Sequence, residues 1–367
     1  METTIKVQKS ELHAKLRLVG RITQPGKVNP ATEWFLISAG GNSLRVTGTD
    51  ISGSMSASVS CVEVSQEAEF CIDAKKMLDA LAELPDQPLT IHVNDFRVTV
   101  QYASGQFEIA PLDKDLFPKY PHDENGVCIN LKKQIFADGI RQTINCVAND
   151  ELRPVMNGVF IETKDNKLSF VATNAHVLAL CEFDFETTAE VSAIIPKQAS
   201  KLISAMLVVC DEEVKVWISE KTISLCSGEY AIHYRLIDGR FPNYRAVIPQ
   251  AEKSVIVHKP TFLGALKRSA LFANQTTSLL ELNLDCNVLT IMCQDIDCSR
   301  SAKEDVSVDY ADEKFAIGFD ANRLISLVSS VDTEICTLHF LEPSRATLIT
   351  PDTPGVTLLI MPMLLNS

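Results

Sequence analysis

The chain has 367 residues, a length that suits two to three domains, and no apolar run approaches the roughly 20 residues that are needed to cross a bilayer. Hydrophobic residues make up 46% and charged residues 22%, which is ordinary for a folded globular protein. The net charge of −13 argues against a nucleic-acid partner until the basic residues have been located, because duplex DNA repels an acidic surface.

The first 122 residues contain the elements of one α+β unit. An amphipathic helix is predicted from Ser10, and a strand, turn and strand follow from Leu44 in "LRVTGTDISGSMSA". A second helix is predicted over Asp73–Leu84, and a strand pair begins at Leu89. Ser10 has a side chain that favours the N-cap position of the first helix.

The same order of elements recurs twice, about 120 residues apart each time. The repeated segments start at Asn130 and Pro260 (first helices), Leu168 and Leu289 (strand, turn, strand), Pro196 and Asp320 (second helices), and Val214 and Cys336 (closing strands). Asn130 favours an N-cap, and Pro260 favours the first helical turn. A fixed period of this kind predicts three repeated domains, 1–122, 123–249 and 250–367, each with two helices packed on antiparallel sheets.

Basic residues concentrate in the predicted helices. The three first helices hold eight Lys or Arg and only two acids, in a chain that is acidic as a whole. Segregation of this kind is typical of a protein with a basic DNA-facing surface, although a solvated helix face gives a similar pattern. The residues predicted to face DNA are Lys15, Arg17, Arg21, Lys27, Lys75, Lys76, Lys132, Lys133, Arg141, Lys197, Lys201, Lys267 and Arg268, and Arg323 extends the same stripe. No aromatic platform or zinc-finger spacing accompanies them, so the contacts are expected to be with phosphates, independent of sequence.

Other site types find little support in the sequence. The eleven cysteines are scattered without a CxxC pair, which favours reduced thiols in the cytoplasm and predicts no metal site and no cofactor. The N-terminus lacks the features of a secretory signal. No P-loop, GxSxG, HExxH or dinucleotide motif is present, so catalysis is not expected, and His176 has no orienting partner in the pattern. A repeat scaffold that binds only proteins stays open as an alternative.

Five segments carry a resemblance to a known family along nearly the whole chain. They are "TGTDISGSMSA", "FVATNAHVLA", "IIPKQASKLI", "LIDGRFPNYRAVIP" and "LLIMPMLL". In order and spacing the chain resembles the β sliding clamps of bacterial DNA polymerase III. The resemblance implies the DNA clamp fold and a head-to-tail homodimer closed into a ring around duplex DNA. It also implies docking of the polymerase catalytic subunit, the clamp loader, and other polymerases and repair proteins through short hydrophobic motifs, with no membrane partner.

The resemblance also implies positions for a dimer interface, a DNA contact and a partner-peptide site. The dimer interface should join Phe107 and Ile109 to Leu271 and Phe272. The loop before Met156 should reach DNA through Arg153. A partner-peptide site between the second and third domains, here called the cleft, should comprise Met156, Thr173, Ala175, His176, Val177, Leu178, Pro242, Arg245, Val247, Asp320, Arg323, Ser344, Ala346, Ile360, Met361, Pro362 and Met363. Flexible Met side chains suit a site that accepts several partners.

The cleft departs from the family pattern at four positions. The family usually has Asp-Gly-His-Arg-Leu where this chain has Asn174-Ala175-His176-Val177-Leu178, and Leu364 replaces the Arg that usually follows Met-Pro-Met. Two cations are therefore missing from the rim of the cleft. We expect the partner motifs of this protein to be more apolar than is common.

Overall fold

The computed structural model of the chain describes residues 2–24, 29–118, 126–250, 252–296 and 298–365, and Lys27 lies outside them. The chain divides into two compact units, unit 1 (Met1–Ala137 and Gln198–Leu236) and unit 2 (Asp138–Lys197 and Ile237–Ser367). Both contain antiparallel sheets with helices, so the predicted α+β class is confirmed. Among the described residues, no helix is both long and apolar enough to cross a membrane.

The first third of the chain contains β1 (Thr3–Gln8), α1 (Lys9–Val19), β2 (Trp34–Gly40), β3 (Ser43–Thr49), β4 (Gly53–Ser60), β5 (Glu63–Val64), β6 (Ala68–Asp73), α2 (Ala74–Ala82), β7 (Pro88–Asn94), β8 (Arg97–Tyr102) and β9 (Gly105–Ile109). The middle third contains β10 (Val127–Lys132), α3 (Lys133–Thr143), β11 (Gly158–Lys164), β12 (Lys167–Thr173), β13 (Val177–Asp184), β14 (Ser192–Pro196), α4 (Lys197–Leu207), β15 (Glu213–Ile218), β16 (Thr222–Ser227) and β17 (Tyr230–Arg235). The last third contains β18 (Lys253–His258), α5 (Lys259–Ala270), β19 (Leu279–Asp285), β20 (Val288–Asp295), β21 (Arg300–Ser307), β22 (Phe315–Asp320), α6 (Ala321–Ser330), β23 (Ile335–Phe340), β24 (Thr347–Pro351) and β25 (Val356–Ile360).

Each unit has one long sheet and one short sheet. In unit 1 the strand orders are β10-β15-β16-β17-β4-β3-β2-β6 and β5-β1-β7-β8-β9. In unit 2 they are β14-β11-β12-β13-β25-β24-β23-β18 and β21-β20-β19-β22. The long sheets are continuous because strands from different repeats pair within them, β4 with β17 in unit 1 and β13 with β25 in unit 2. The three-domain division of the sequence stays a proposal beside these two units.

The first helix of each repeat follows a strand without an intervening turn. Ser10 and Asn130 are not N-caps, contrary to the sequence prediction, because Ser10 lies inside α1 and Asn130 lies inside β10. The opening backbone N–H groups of α1, α3 and α5 instead donate to carbonyl oxygens of Gln87, Glu212 and Glu334, which follow the second helices. Pro260 does occupy the first turn of α5, as predicted.

Alternating strand residues and one face of each helix form the cores. In unit 1, Leu12 and Leu16 of α1 and Met77 and Leu81 of α2 are fully buried against the sheets. Helical spacing of apolar residues explains why these faces are covered. In unit 2 a separate cluster joins Phe241 and Tyr244, from the segment after β17, to strand residues such as Leu178. The segment that carries Pro242 and Arg245 is thereby fixed on the long sheet of unit 2.

Candidate functional sites

Within the described part of the chain, each short sheet ends in a strand whose outer edge is unpaired, β9 in unit 1 and β21 in unit 2, and β5 at the other end of the unit 1 sheet likewise pairs only with β1. Among the described residues, β9 pairs only with β8, and β21 pairs only with β20. Phe107 on β9 is half-buried, and Ile109 is 8% exposed. Leu271 and Phe272, just beyond α5 in unit 2, are 76% and 41% exposed. Open strand edges accompanied by exposed apolar side chains favour pairing with another chain.

Lys15 is the clearest exception among the residues predicted to face DNA. Its side chain is only 8% exposed, and its ammonium forms an ion pair with Glu229 and lies 4.3 Å from the centroid of the Tyr230 ring. Burial lowers the pKa of Lys15, but hydrogen bonds and charge interactions with Glu229 and Tyr230 outweigh it, so the pKa is raised. Lys15 is therefore a structural residue of unit 1, and its assignment to the DNA-facing set is corrected.

Several other predicted cations already have partners within the chain. The Nζ of Lys133 donates to the carbonyl oxygen of Cys210 at 3.0 Å, and Lys259 makes the equivalent bond to Val331 in the third repeat. Because a lysine at the start of the first helix makes this kind of bond in two repeats, the lysine has a structural role there. The remaining partnered cations are Lys76 (Asp73), Arg141 (Asp138 and Asp332), Arg153 (Asp150), Lys197 (carbonyl of Val147) and Arg268 (Glu304).

The other predicted cations are exposed side chains. Arg17 and Arg21 belong to α1 and the turn after it, Lys75 to α2, Lys201 to α4, and Lys267 to α5, while Lys132 ends β10. Among the residues that the structure describes, none of these six side chains forms an ion pair. They are therefore the cations of the predicted set that are most available to an external anion.

A tight turn and the C-terminal strand bring the central residues of the cleft together in unit 2. The hydroxyl of Thr173 donates to the carbonyl of Val177 at 2.7 Å, and Val177 pairs with Ile360 across β13 and β25. The backbone N–H of Met361 donates to the carbonyl of His176 at 2.8 Å. The turn and the segment at Ile360 and Met361 are therefore joined by backbone hydrogen bonds, with His176 and Met361 exposed and Ile360 buried.

His176 also lies among charged groups. Its pKa is lowered by burial and by the nearby guanidinium groups of Arg323 and Arg153, and the carboxylate of Asp320 only partly opposes this effect. The lowered pKa favours a neutral imidazole at pH 7. Asp320 caps α6 by accepting from the backbone N–H of Arg323 at 3.1 Å.

The remaining cleft residues divide by exposure. Leu178 and Ala346 are buried in one apolar cluster of unit 2, while Met156, Pro242, Pro362 and Met363 are half-buried. Met363 donates to the carbonyl of Gly318 at 2.8 Å, which fixes the segment after β25 on β22. Arg245, Val247 and Ser344 are exposed.

Two acidic residues beside Arg245 were not among those expected from the sequence. Glu162, Ser169 and Glu182 occupy one row across β11, β12 and β13. The Nη2 of Arg245 lies 3.0 Å from Glu182 Oε1 and 3.5 Å from Glu162 Oε1, and the Tyr244 hydroxyl donates to Glu162. Their residue types gave no signal, because each lies in a strand pattern where outward-facing acids are common.

The turn of the cleft contains a strained residue. Ala175 has a backbone φ of 72°, in the left-handed region where glycine is relaxed and other residues are not. We expect Ala175→Gly to raise the free energy of unfolding by about 0.5–1 kcal/mol, the left-handed penalty less the entropy cost of glycine. Urea unfolding would measure it. Ala14→Gly in the exposed part of α1 is the control and should lower stability by about 1 kcal/mol. A loss of stability in Ala175→Gly would contradict the argument.

Comparisons with known proteins agree along the whole chain. Models of the N-terminal, central and C-terminal domains of the DNA polymerase III beta subunit match residues 3–121, 130–243 and 245–364. The beta sliding clamp of Pseudomonas putida is 26% identical over 89% of this chain and 90% of its own length, and that of Synechococcus elongatus is 25% identical over 98% and 99%.

Solved structures show the same fold. A sliding clamp from Pseudomonas aeruginosa, crystallised with griselimycin, superposes with a TM-score of 0.95 at 24% identity, covering 100% of both chains. The DNA polymerase III beta subunit of Thermotoga maritima superposes with a TM-score of 0.93 at 23% identity, covering 99% of this chain and 100% of its own. The chain therefore belongs to the DNA polymerase III beta subunit family, the DNA sliding clamps, which confer processivity on the polymerase and are not themselves enzymes.

Proposed function

We propose that two copies of this chain join head to tail into a closed ring around duplex DNA, and that the ring tethers the polymerase without reading sequence. The three repeats are predicted domains of this ring. The observation that best supports the proposal is the pair of unpaired edges at β9 and β21. Each is the counterpart of a strand that pairs with a neighbouring repeat inside a unit. Contacts between different surfaces of identical subunits close into a ring when the rotation permits.

The internal repeats predict how β9 meets β21 of a second copy. Phe107 on β9, Ile232 on β17 and Leu358 on β25 occupy equivalent positions in the three repeats. Strand pairing across each sheet aligns each of them with the same position, relative to the first helix, in the strand that precedes that helix. Ala302 on β21, Met55 on β4 and Ala179 on β13 are also equivalent. Each pairs with the residue four positions after the leucine that begins the strand–turn–strand segment of its repeat, which is Leu289, Leu44 or Leu168. The observed pairs between repeats are Ile232 with Met55 and Leu358 with Ala179.

The same register places Phe107 of one copy opposite Ala302 of the other. Ile109 would then lie opposite Arg300. A large side chain opposite a small one fits an antiparallel pair, as Leu358 opposite Ala179 does within unit 2. Leu271 and Phe272 would be covered at the same interface.

Helices of all three repeats would line the proposed ring. Arg17, Lys201 and Lys267 are exposed, one in each repeat, and are free of the ion pairs that engage Arg141 and Arg268. Such cations can contact phosphates wherever the duplex lies, because phosphate spacing does not depend on sequence.

The cleft would serve as the docking site for other proteins. The catalytic subunit of the polymerase, the clamp loader, and other polymerases and repair proteins would each insert a short hydrophobic motif against the turn at His176 and the segment around Met361. The exposed apolar residues Met361 and Val247 support this role, being 40% and 50% exposed. The cytoplasm, where the polymerase works, is the expected location.

Charge reversal at the three exposed cations tests the DNA-lining role. We expect Arg17→Glu, Lys201→Glu and Lys267→Glu together to lower the amount of protein that is loaded and retained on nicked circular DNA by about tenfold or more, because six phosphate-facing cations per ring become anions that repel the duplex as the ring closes on it. Retention is measured after loading by gel filtration with labelled protein. Solution mass should remain that of the wild type.

The matched control changes net charge equally at three exposed lysines of strand hairpins, Lys164, Lys167 and Lys221. This variant should be retained like the wild type. If both triple variants are retained normally, the helices do not face DNA, and a scaffold that binds only proteins becomes the better description.

A further inference from the structure

The cleft contains two arginines, and both are paired with carboxylates of the same chain. Arg323 Nε lies 3.5 Å from Asp320 Oδ2, and Arg245 Nη2 lies between Glu182 and Glu162. The two glutamate side chains are only 17% and 18% exposed. A carboxylate with so little access to water is strongly favoured to keep its cation.

The environment of Arg245 adds further partners. Its Nη2 lies 3.4 Å from Ser169 Oγ, and that hydroxyl also lies 3.1 Å from Glu182 Oε1. The guanidinium carbon lies 5.1 Å from the centroid of the Tyr244 ring. Burial lowers the pKa of Arg245, but the Tyr244, Glu182 and Glu162 side chains outweigh it and raise the pKa. The guanidinium is therefore charged, and two carboxylates compensate that charge.

We infer that Glu162 and Glu182 determine the specificity of the cleft by withholding Arg245 from docked peptides. The inference rests on the proposed docking function. The side chain of Arg245 is 43% exposed, so an acidic peptide could reach it, but the two carboxylates make the local charge negative. The cleft consequently favours neutral, apolar motifs over acidic ones. This selectivity would reside in the row Glu162–Ser169–Glu182, which lies on the same sheet as the turn of the cleft.

The test is a comparison of two labelled peptides by fluorescence anisotropy. Both are hexapeptides with two Leu, one Phe and two Gln, and the sixth residue is Asn in one and Asp in the other. We expect the wild type to bind the Asn peptide more tightly. Glu162→Gln with Glu182→Gln should shift the affinity ratio toward the Asp peptide by about threefold to fivefold, the size of an exposed ion pair.

Three controls make the result specific. Glu186→Gln with Glu190→Gln removes two exposed acids of the same unit and should leave the ratio unchanged. Adding Arg245→Met to the first double variant should abolish the shift. The single variant Glu182→Gln keeps one carboxylate and should give a smaller shift in the same direction, so the test survives if the double variant fails to fold.

The outcomes separate the two proposals. A shift that appears in the double variant and vanishes with Arg245→Met supports the inference. Binding of both peptides with an unchanged ratio overturns it and leaves the docking function intact. Failure of the wild type to bind either peptide rejects docking in the cleft, and the inference with it.

Discussion

Replacing Phe107 by Arg is expected to convert the proposed homodimer into monomers. Phe107 would lie opposite Ala302 of the second copy, where an arginine has no carboxylate opposite it and loses its water. Truncating or charging a central interface aromatic costs about 2–4 kcal/mol, and each 1.4 kcal/mol weakens association tenfold. The dimer dissociation constant should therefore rise by roughly 30-fold to 1000-fold. Sedimentation equilibrium over a range of concentrations measures it.

The control for this experiment uses a phenylalanine of the same sheet away from its edge. Phe96, in the turn between β7 and β8, is 85% exposed, and Phe96→Arg should leave the dimer intact. Phe107 also packs against the core of unit 1, so its replacement could disturb the fold. Leu271→Asp avoids this difficulty, because the Leu271 side chain is 76% exposed within one chain. Dimers of wild-type stability in both Phe107→Arg and Leu271→Asp would refute the proposed closure.

The internal sequence repeat made most of the fold predictable. The N-caps of the first helices could not be predicted. Among the residues that the structure describes, the spacing of apolar residues located the six α-helices to within a few residues, since a buried face leaves a periodic trace. The caps at Ser10 and Asn130 were wrong because the first N–H groups are satisfied by carbonyls about 80 residues away, at Gln87 and Glu212. A local pattern carries no record of a partner so distant in the chain.

The basic residues show a similar limit. Composition located a positive set of helices but could not separate the exposed Arg17 from the buried Lys15, two residues earlier. The repeat itself held a signal, because the positions equivalent to Lys15 are Gly139 and Ala265, both buried. Small residues at matching places indicate a tightly packed helix face. By contrast, a lysine begins the first helix of every repeat, as at Lys133 and Lys259, which fits the structural bonds found there.

The cleft could be outlined from sequence only through the family resemblance. Its apolar residues come from segments far apart in the chain, such as those at Leu178 and Ala346, and pairing of β13 with β25 brings them together. The resemblance did not reach Glu162 and Glu182, which lie beside it on strands of the same sheet. Side-chain distances decide which charged groups are paired, and these distances cannot be inferred from the amino-acid sequence.

The buried ion pair of unit 1 should respond unequally to loss of its two partners. Lys15 is 8% exposed and Glu229 is 48% exposed, so Glu229→Ala leaves a mostly buried ammonium without its carboxylate. We expect this variant to lower the free energy of unfolding by about 2–3 kcal/mol, because removing one partner leaves a buried charge uncompensated. Lys15→Met fills the same space and leaves a carboxylate that water can solvate, so it should cost less than about 1 kcal/mol.

Urea unfolding of both variants at pH 7 tests the asymmetry, with Glu63→Ala as the exposed control. Glu63 pairs with Lys6 at 2.7 Å, but both side chains are about half exposed, and the loss should be about 0.5 kcal/mol. Since the folded pKa of Lys15 is raised, its contribution is fully present below its unfolded pKa and is lost only as the pH rises through the higher folded value. The difference between Glu229→Ala and the wild type should therefore be constant from pH 6 to pH 8. A larger loss in Lys15→Met than in Glu229→Ala would show that packing of the lysine stem, and not its charge, stabilises this part of unit 1.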